Sequence, residues 1–338
     1  MNLLALGGTG FVGRAIIEAA LGRGWTVTTF NRGISASDVA GVRVVRGDRS
    51  TVDDVDRLAT SGPWDAVVDT SGYVPRNVLA VARRLAPLAG QYVFISTVSV
   101  YADWPVLPLN EGSPLLTCPP DAGPDFGGDV EDGPTRYGYQ KAGCEAAARL
   151  AFGDDRAAML RPGVILGPRE YVGRLPWWLR RVAVGGRVAA PGTPGRSIQP
   201  VDVRDVADFA LGCVQHRSTG AFNVTAPIGR DTFGDLLSAC ATATGASPDF
   251  VWIPESKLFQ VGVRQWSEMP LWRASEGVWR VDSTRAVTSG LHNRPLVETV
   301  RETWRWLVES GDIAGNERAE GIGLSPEREA RLLREITT

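Results

Sequence analysis

The stretch LLALGGTGFVGRAII, residues 3–17, decides the fold. An apolar run typical of a buried strand ends in a glycine-rich turn, and residues with helical apolar spacing follow at once. Gly7, Gly10 and Gly13 have the spacing G-x-x-G-x-x-G at this turn. Such glycines let a backbone approach a pyrophosphate, which the amide groups of the helix N-terminus then hold. The stretch predicts a dinucleotide-binding turn, with a tight turn that binds nothing as the alternative. Its predicted contacts are Gly7, Thr9, Gly10, Phe11, Val12 and Gly13.

The same alternation of strand and helix continues to about residue 165. Five further apolar runs indicate buried strands: WTVTTFN (25–31), VRVVRGD (42–48), AVVDTS (66–71), QYVFIST (91–97) and AAMLRPG (157–163). Helical patterns cover residues 11–22, 51–59, 75–86 and 137–151. Strands that alternate with helices predict an α/β protein with a Rossmann-type, doubly wound parallel sheet.

Two later regions depart from this alternation. Residues 103–136 are rich in Pro, Gly and Asp and lack periodicity, which predicts a long surface loop. Further along, Trp, Arg and Pro become more frequent. Helical patterns there lie near 203–216, 231–244, 295–309 and 325–336. We predict a dinucleotide-binding Rossmann domain over residues 1–165. Residues 166–338 are predicted to form a smaller, mostly helical substrate-binding cap, with some elements that return to the sheet domain.

The composition narrows the classes of function. The chain has 338 residues and a formal net charge of −2, which gives no general attraction to nucleic acid or to an anionic membrane. The four cysteines share no C-x-x-C spacing, and with two histidines a metal centre or a Ser-His-Asp hydrolase is hard to assemble. The start of the chain lacks the features of a signal peptide. We expect a cytoplasmic protein that binds a small molecule, with no metal, no nucleic acid and no membrane partner.

The end of the second predicted strand, TTFNRG (28–33), bears on the choice of cofactor. In dinucleotide-binding folds an acidic residue about 20 positions beyond the glycines binds the ribose 2′-hydroxyl. Here Asn31 and Arg32 occupy that region, and a guanidinium suits a 2′-phosphate. We therefore predict that NADP is bound in preference to NAD, unless Arg32 points into solvent. Asp48, which closes the third strand, either binds the adenine amino group or caps the helix that begins near Thr51.

Hydroxyl-bearing residues follow the fourth and fifth strands, and ligands of such sheets bind beyond the carboxyl ends of the strands. Ser71 and Tyr73 are expected to line the cofactor groove, although a Ser-Gly turn would look the same.

Thr97 ends the fifth strand. Tyr137 and Lys141 follow on a predicted helix, where their i, i+4 spacing puts them on one face. A free tyrosine ionises at about pH 10, and a neighbouring ammonium favours the phenolate, so this pair suits proton transfer. Two ordinary surface residues are the alternative.

Four segments together resemble the extended short-chain dehydrogenase/reductase superfamily, which includes the NAD(P)-dependent epimerases and dehydratases. The segments are GGTGFVG (7–13), ISTVSVY (95–101), YGYQK (137–141) and LRPGVILGP (160–168). The resemblance spans at least residues 1–210. It implies that Tyr137 is the acid/base, that Lys141 binds the nicotinamide ribose and lowers the tyrosine pKa, and that Thr97 hydrogen-bonds the reacting oxygen.

The resemblance also implies contacts outside that set. Pro162 and Val164 would meet the nicotinamide carboxamide, although Pro and Gly there could simply turn the chain. In sugar-nucleotide members of the family an arginine at the place of Arg196 contacts the substrate diphosphate. Arg196 could instead pair with a nearby acid, such as Asp202 or Asp205.

We therefore expect an NADP-dependent oxidoreductase that transfers hydride between the nicotinamide and a carbonyl or imine of a small molecule. The first alternative is an NAD-dependent sugar-nucleotide epimerase. The second is a non-catalytic NADP- or RNA-binding regulator, because the segments FNRG and STVSVY also resemble plant chloroplast stem-loop-binding members of the superfamily. Val98 and Ser99 stand where the 4,6-dehydratases have an Asp-Glu pair, which argues against dehydration. The resemblance also allows a homodimer.

Overall fold

The computed structural model describes residues 1–131, 133–310 and 321–337, and these form two compact units. The first unit consists of Met1–Gly163, Val203–Thr225 and Arg280–His292. The second consists of Val164–Asp202, Ala226–Trp279 and the described part of Asn293–Thr338. Each unit therefore combines segments from separate parts of the chain.

The regular elements follow one another in a mostly alternating order. The strands are β1 (Asn2–Leu6), β2 (Thr26–Asn31), β3 (Arg43–Arg46), β4 (Ala66–Asp69), β5 (Tyr92–Ile95), β6 (Ala157–Pro162), β7 (Ile165–Leu166), β8 (Arg187–Pro191), β9 (Ser197–Ile198), β10 (Val201–Asp202), β11 (Gly220–Val224), β12 (Asp231–Thr232) and β13 (Asp249–Ile253). The α-helices are α1 (Phe11–Gly22), α2 (Val52–Ala59), α3 (Pro75–Leu85), α4 (Arg136–Phe152), α5 (Arg174–Val184), α6 (Val203–His216), α7 (Phe233–Thr244), α8 (Glu255–Gln260), α9 (Thr284–Thr288), α10 (Leu296–Ser310) and α11 (Pro326–Thr337).

The first unit is built on a parallel seven-stranded sheet in the order β11-β6-β5-β4-β1-β2-β3. The predicted Rossmann-type fold and the six predicted strands are confirmed. The seventh strand, β11, was not predicted as a strand. The strand order reverses between β1 and β4, so the ligand crevice of such a sheet lies beyond the carboxyl ends of these two strands.

Helices of the first unit pack in two groups against the sheet. α2, α3 and α4 lie side by side, and α1 packs with α6. Strands β4 and β5 are buried along their whole length, which explains their continuous apolar sequences. The main core joins sheet residues such as Leu4, Val67 and Phe94 to Val78 of α3 and Ala147 of α4.

The segment 103–136 forms neither helix nor strand among its described residues before α4 begins at Arg136. It is less exposed than a surface loop, because several of its apolar side chains are buried. Leu109 and Leu116 pack in one cluster with Val98 and Tyr101, which follow β5. This packing anchors the segment beside the carboxyl end of β5.

The second unit contains short strand pairs and a helical core. β7 pairs with β10 and β8 with β13 in parallel, while β9 and β12 are antiparallel. α5, α7 and α10 pack together, and the fully buried Trp178 donates from Nε1 to the carbonyl of Pro270 at 2.7 Å. Within the ranges that the structure describes, no helix combines the length and the apolar character needed to cross a bilayer.

Candidate cofactor-binding and catalytic site

The turn after β1 requires glycine at several positions. Gly7 and Gly8 have φ values of 101° and 110°, which residues with a side chain rarely adopt. At Gly13 a Cβ atom would lie 2.9 Å from the Cα of Gly8, so the first turn of α1 approaches the backbone of the preceding turn too closely for a side chain. The predicted strand-turn-helix is therefore confirmed as a local structure, and its glycines are explained by close backbone packing.

The start of α1 fits a pyrophosphate. Gly10 is the N-cap residue and has no side chain to accept from the helix amides. A Cβ at Gly10 would have no atom within 4 Å, so the space next to this helix end is open. The first turn, Phe11 to Arg14, carries no acidic residue that would repel an anion. The backbone from Gly7 to Gly13 is thus suited to hold the diphosphate of a dinucleotide.

Gly10→Ala is expected to weaken cofactor binding with little effect on the stability of the fold. The methyl group meets nothing in the protein, and Gly10 has φ −88° and ψ 178°, so the change in unfolding free energy should stay within about 1 kcal/mol. The same methyl group intrudes on the space for the pyrophosphate, so the Kd for NADPH should rise by on the order of tenfold or more. Calorimetric titration and thermal unfolding measure the two effects. Gly212→Ala in α6, where a Cβ also meets nothing within 4 Å, is the matched control and should leave the Kd unchanged.

Two residues at the end of β2, Asn31 and Arg32, were predicted to bind the adenosine ribose. They differ in their contacts and in their exposure. Asn31 is held within the protein: its Nδ2 donates to Asp38 at 3.0 Å, and its Oδ1 accepts from Gly33 N at 2.8 Å and from Arg46. The Arg32 side chain is 60% exposed and lies 3.9 Å from the carboxylate of Asp48. Arg32 is therefore largely exposed, which fits both an open position for an anionic ligand and the alternative that it points into solvent.

Asp48 contacts the start of α2 through its backbone, because its N donates to Asp54 Oδ2 at 2.7 Å and its carbonyl accepts from Thr51 N at 3.0 Å, whereas its carboxylate bonds within the preceding turn. Its Oδ1 accepts from the backbone N and the hydroxyl of Ser50, at 2.8 and 2.6 Å. These hydrogen bonds hold the pKa of Asp48 below its usual value. The carboxylate thus stabilises the turn before α2, and its relation to adenine stays a prediction.

A buried ion pair at the end of β4 was missed by the sequence analysis. Arg49 donates to both carboxylate oxygens of Asp69, at 2.9 and 2.8 Å, and also to the hydroxyl of Ser71 at 3.0 Å. The hydroxyl of Tyr92 donates to Asp69 at 2.6 Å. Burial raises the pKa of Asp69, but the charge and hydrogen bonds of Arg49 outweigh it and hold that pKa below its usual value. Ser71, a predicted groove residue, is therefore held in place by Arg49 at the crevice.

Thr97 follows β5 and starts a short 3-10 helix over Val98–Val100. Its Oγ1 accepts from Ser99 N at 3.1 Å and lies 3.3 Å from Ser99 Oγ. α4 begins close by, because a Cβ at Gly138 would lie 2.3 Å from the carbonyl oxygen of Ser99. The chain thus brings the segment of Thr97 next to the first turn of α4, where Tyr137 lies.

Tyr137 and Lys141 differ sharply in exposure although they lie one helical turn apart. Tyr137 is 44% exposed, whereas Lys141 is 3% exposed. The Nζ of Lys141 donates to the carbonyl oxygens of Gly72 and Ile95, at 3.0 and 2.6 Å, and lies 4.1 Å from the ring centre of Phe94. Burial lowers the pKa of Lys141 to about 8. Lys141 therefore joins the ends of β4 and β5 to α4 beneath the exposed tyrosine.

Tyr73 completes this group. Its ring centre lies 6.3 Å from that of Tyr137 and 5.2 Å from the Nζ of Lys141. Tyr73 is 45% exposed. The structure thus brings together the predicted residues Tyr73, Tyr137 and Lys141 at the carboxyl edge of the sheet, with Thr97 beside the same helix start. An exposed phenol next to a buried ammonium can donate and accept a proton.

A second buried network supports this edge and was also missed. Arg161 of β6 donates to both oxygens of Glu145 on α4, at 2.9 and 2.6 Å, and to the hydroxyl of Tyr101 at 2.9 Å. Tyr101 donates to Asn223 of β11 at 2.7 Å. Asn223 in turn donates to the carbonyl of Asp282 at 3.0 Å. Glu145 lies one helical turn beyond Lys141, so this network ties α4 to β6, β11 and the segment after β5.

The remaining predicted residues lie at or beyond the end of β6. Pro162 ends β6 in the first unit, whereas Val164 and Arg196 belong to the second unit. Arg196 pairs with Glu255 at 2.8 Å and donates to the carbonyls of Arg273 and Ala274 at 2.6 and 2.8 Å. An acid does pair with Arg196, as the alternative predicted, but the acid is Glu255, which lies far along the sequence. Among the described residues no group of three or more His, Cys, Asp or Glu is placed to hold a metal ion.

Comparisons with known proteins identify a family and agree with the fold. The model of the NAD dependent epimerase/dehydratase family matches residues 3–225. "Epimerase family protein SDR39U1" of Bos taurus is 27% identical over 304 residues, which cover 80% of this chain and 90% of that protein. "Chloroplast stem-loop binding protein of 41 kDa b" of Arabidopsis thaliana is 26% identical over 260 residues, 72% of this chain. That match spans 63% of the length of the chloroplast protein.

Solved structures share the fold. The Bordetella bronchiseptica enzyme WbmH in complex with NAD+ superimposes with a TM-score of 0.68 at 19% identity, and the match covers 92% of this chain and 99% of that one. UDP-glucose 4-epimerase of Thermotoga maritima, solved with UDP-glucose, gives a TM-score of 0.67 at 18% identity. It covers 92% of this chain and 100% of that chain. At this level of identity the likeness concerns the fold.

Proposed function

Because the chain belongs to the NAD-dependent epimerase/dehydratase family, we propose that it is an NADP-dependent oxidoreductase acting on a carbonyl or imine of a small molecule. Family membership supports an NAD(P)-dependent enzyme of the extended short-chain dehydrogenase/reductase type. Hydride transfer with Tyr137 as the proton donor is proposed because the exposed Tyr137 lies above the buried Lys141 and beside Thr97. This is a proton donor at the edge of the sheet where ligands bind.

In the proposed mechanism, each of the three side chains has one task. When bound, the reduced nicotinamide supplies the hydride to the carbonyl or imine carbon. Tyr137 donates its phenolic proton to the oxygen or nitrogen that gains negative charge, and the phenolate recovers a proton afterwards. The hydroxyl of Thr97 donates a hydrogen bond to the same atom and orients it.

Lys141 makes the phenol a stronger acid. Its ammonium has three N–H groups, of which two donate to the carbonyls of Gly72 and Ile95. The third is the one that the proposal assigns to the nicotinamide ribose. With a pKa of about 8, Lys141 stays mostly protonated at neutral pH, and its positive charge then favours the phenolate of Tyr137.

The proposed preference for NADP depends on the charge at the end of β2. The region that carries an acid in NAD-binding proteins has Asn31 and Arg32 here. Arg32 is exposed, and its ion pair with Asp48 is long at 3.9 Å. An ion pair of this length at the surface contributes little, so the guanidinium can bind a phosphate instead.

An NAD-dependent sugar-nucleotide epimerase is the second candidate. The family and the fold shared with a UDP-glucose 4-epimerase favour it. The surroundings of Arg196 argue against a nucleotide-sugar substrate, because Glu255 and two carbonyl oxygens already engage the guanidinium. A diphosphate would have to displace the carboxylate and both carbonyl oxygens from a guanidinium side chain that is only 22% exposed. Similarity to a chloroplast stem-loop binding protein favours the RNA-binding alternative, but a net charge of −2 gives it no support.

Cofactor consumption separates the two enzymatic candidates. A reductase exchanges its cofactor at every turnover, so NADPH should be oxidised in a one-to-one ratio with product across a panel of aldehydes, ketones and imines. The absorbance of NADPH and chromatography of the product measure that ratio. An epimerase holds its cofactor and shows no net oxidation. Isolation of the protein with tightly retained NAD, together with product formation without NADPH loss, would establish the epimerase.

A further inference from the structure

Arg46 lies beside the position where dinucleotide-binding proteins contact the adenosine ribose. The sequence analysis did not identify it as a site residue. In the parallel pairing of β2 and β3, Asn31 is the direct partner of Arg46. Asn31 is the last residue of β2, where dinucleotide-binding proteins contact the ribose hydroxyls. Both strands end here, so the side chains at their ends face the same edge of the sheet.

The guanidinium of Arg46 forms a two-pronged contact with a carboxylate of its own chain. Its Nη2 donates to Asp38 Oδ2, and its Nη1 donates to Asp38 Oδ1 at 3.1 Å. The Nη1 group also donates to Asn31 Oδ1, and Asn31 Nδ2 donates to Asp38 Oδ1 at 3.0 Å. Two parallel N–H bonds to two oxygens are the geometry in which arginine binds carboxylate and phosphate alike.

Two more arginines lie near this pair, Arg14 and Arg32, which pair with Glu18 at 2.8 Å and with Asp48 at 3.9 Å. Gly33, with φ 72°, lies so close that a Cβ there would be 2.9 Å from the Arg46 guanidinium carbon. Arg14 of α1 donates to the carbonyl of Ser37 at 3.3 Å, and Arg32 lies on the same turn between β2 and Asp38. The hydrogen bond from Arg46 is the main cause that lowers the pKa of Asp38, so this carboxyl is ionised at neutral pH.

We propose that Asp38 is an internal substitute for the 2′-phosphate of NADP, and that Arg46 is the guanidinium that both anions share. The two anions compete for one guanidinium: Asp38 pairs with Arg46, and the 2′-phosphate takes its place when the cofactor binds. This inference rests on the proposed use of NADP and adds two residues, Arg46 and Asp38, that determine how strongly the phosphate is preferred.

The exchange is reasonable on electrostatic grounds. The Arg46 and Asp38 side chains are 50% and 20% exposed, and ion pairs that reach solvent contribute little to stability. A phosphate monoester carries close to two negative charges and three acceptor oxygens, against one charge and two oxygens for a carboxylate. Asp38 therefore competes with the phosphate without excluding it, and its removal should strengthen binding.

The test uses the full chain and two fragments of the cofactor, 2′,5′-ADP and 5′-AMP, which differ by the 2′-phosphate. Calorimetric Kd values are compared for the wild type, Asp38→Asn, Arg46→Gln and the control Arg43→Gln at the start of the same strand. Asp38→Asn should tighten 2′,5′-ADP by about fivefold, and Arg46→Gln should weaken it by about tenfold. Neither should change the Kd of 5′-AMP by more than about twofold, and Arg43→Gln should change neither ligand. Thermal unfolding of each variant checks that the fold is retained.

The outcomes distinguish this inference from the proposed function. If the wild type prefers 2′,5′-ADP but neither substitution changes the preference, Arg46 is not the shared guanidinium and the inference is wrong, while the NADP preference stands. If the wild type shows no preference and Asp38→Asn creates one, the inference stands and the NADP preference of the wild type is wrong. If no protein shows a preference, both are wrong.

Discussion

Tyr137→Phe is expected to reduce kcat by about 10²- to 10⁴-fold, because the substitution removes the proposed proton donor while it keeps the ring. The ring of Tyr137 keeps its position 6.3 Å from Tyr73, and the backbone of α4 is unaffected. The Kd for NADPH should therefore stay within about twofold of the wild type. Steady-state rates with the most active substrate of the carbonyl and imine panel, together with calorimetric NADPH titration, measure the two effects.

Tyr139→Phe is the matched control for this experiment. Tyr139 lies on the same turn of α4, but its ring packs edge-on against Phe126 at 6.3 Å and lies against Gly127. Loss of its hydroxyl should leave kcat within about threefold of the wild type. Wild-type turnover in Tyr137→Phe, or an equal loss in both variants, would remove the proton-transfer role from Tyr137.

Arg161→Met should lower the free energy of unfolding by about 3–5 kcal/mol, because it leaves the carboxylate of Glu145 buried without its cation. Both side chains are 1% exposed, and the hydroxyl of Tyr101 loses a donor at the same time. Urea unfolding followed by tryptophan fluorescence measures the change. The double variant Arg161→Met/Glu145→Leu should recover part of the loss, since it removes the stranded charge as well.

The matched control is Arg305→Met. Arg305 also pairs with a glutamate, Glu302, at 2.9 Å, but its side chain is 57% exposed. Solvent screens such a pair, so the loss should be below about 1 kcal/mol. A loss below 1 kcal/mol for Arg161→Met itself would show that the network does not hold α4 in place.

Sequence patterns were sufficient for most of the sheet because its inner strands are buried on both faces, although the edge strand β3 is largely exposed. Runs such as AVVD in β4 and YVFI in β5 are continuously apolar, and helices with clear periodicity separate them. β11 escaped prediction for a physical reason. Its sequence, GAFNV, has the polar Asn223 within a short strand, so it lacks a continuous apolar run although Ala221 to Val224 are buried.

Sequence patterns predicted those parts of the candidate site whose residues lie close together in the chain. The glycine turn and the spacing of Tyr137 and Lys141 are local patterns. The ion pairs Arg49–Asp69, Arg161–Glu145 and Arg46–Asp38 join residues that tertiary structure alone brings together. Asp69 and Arg161 are charged residues at or next to the end of an apolar strand. Such a position is the sequence signal that could have indicated the first two ion pairs. The partner itself could not be read from the sequence.

Hydride transfer from NADPH to a carbonyl or imine carbon can be followed with deuterium-labelled cofactor. NADPH is prepared with deuterium at either of the two hydrogens of the reactive nicotinamide carbon, and the product of each reaction is weighed by mass spectrometry. We predict that one labelled form yields a product heavier by one deuterium and that NADPH is consumed in equal amount. Product without deuterium from both forms, or product formed without loss of NADPH, would contradict the account.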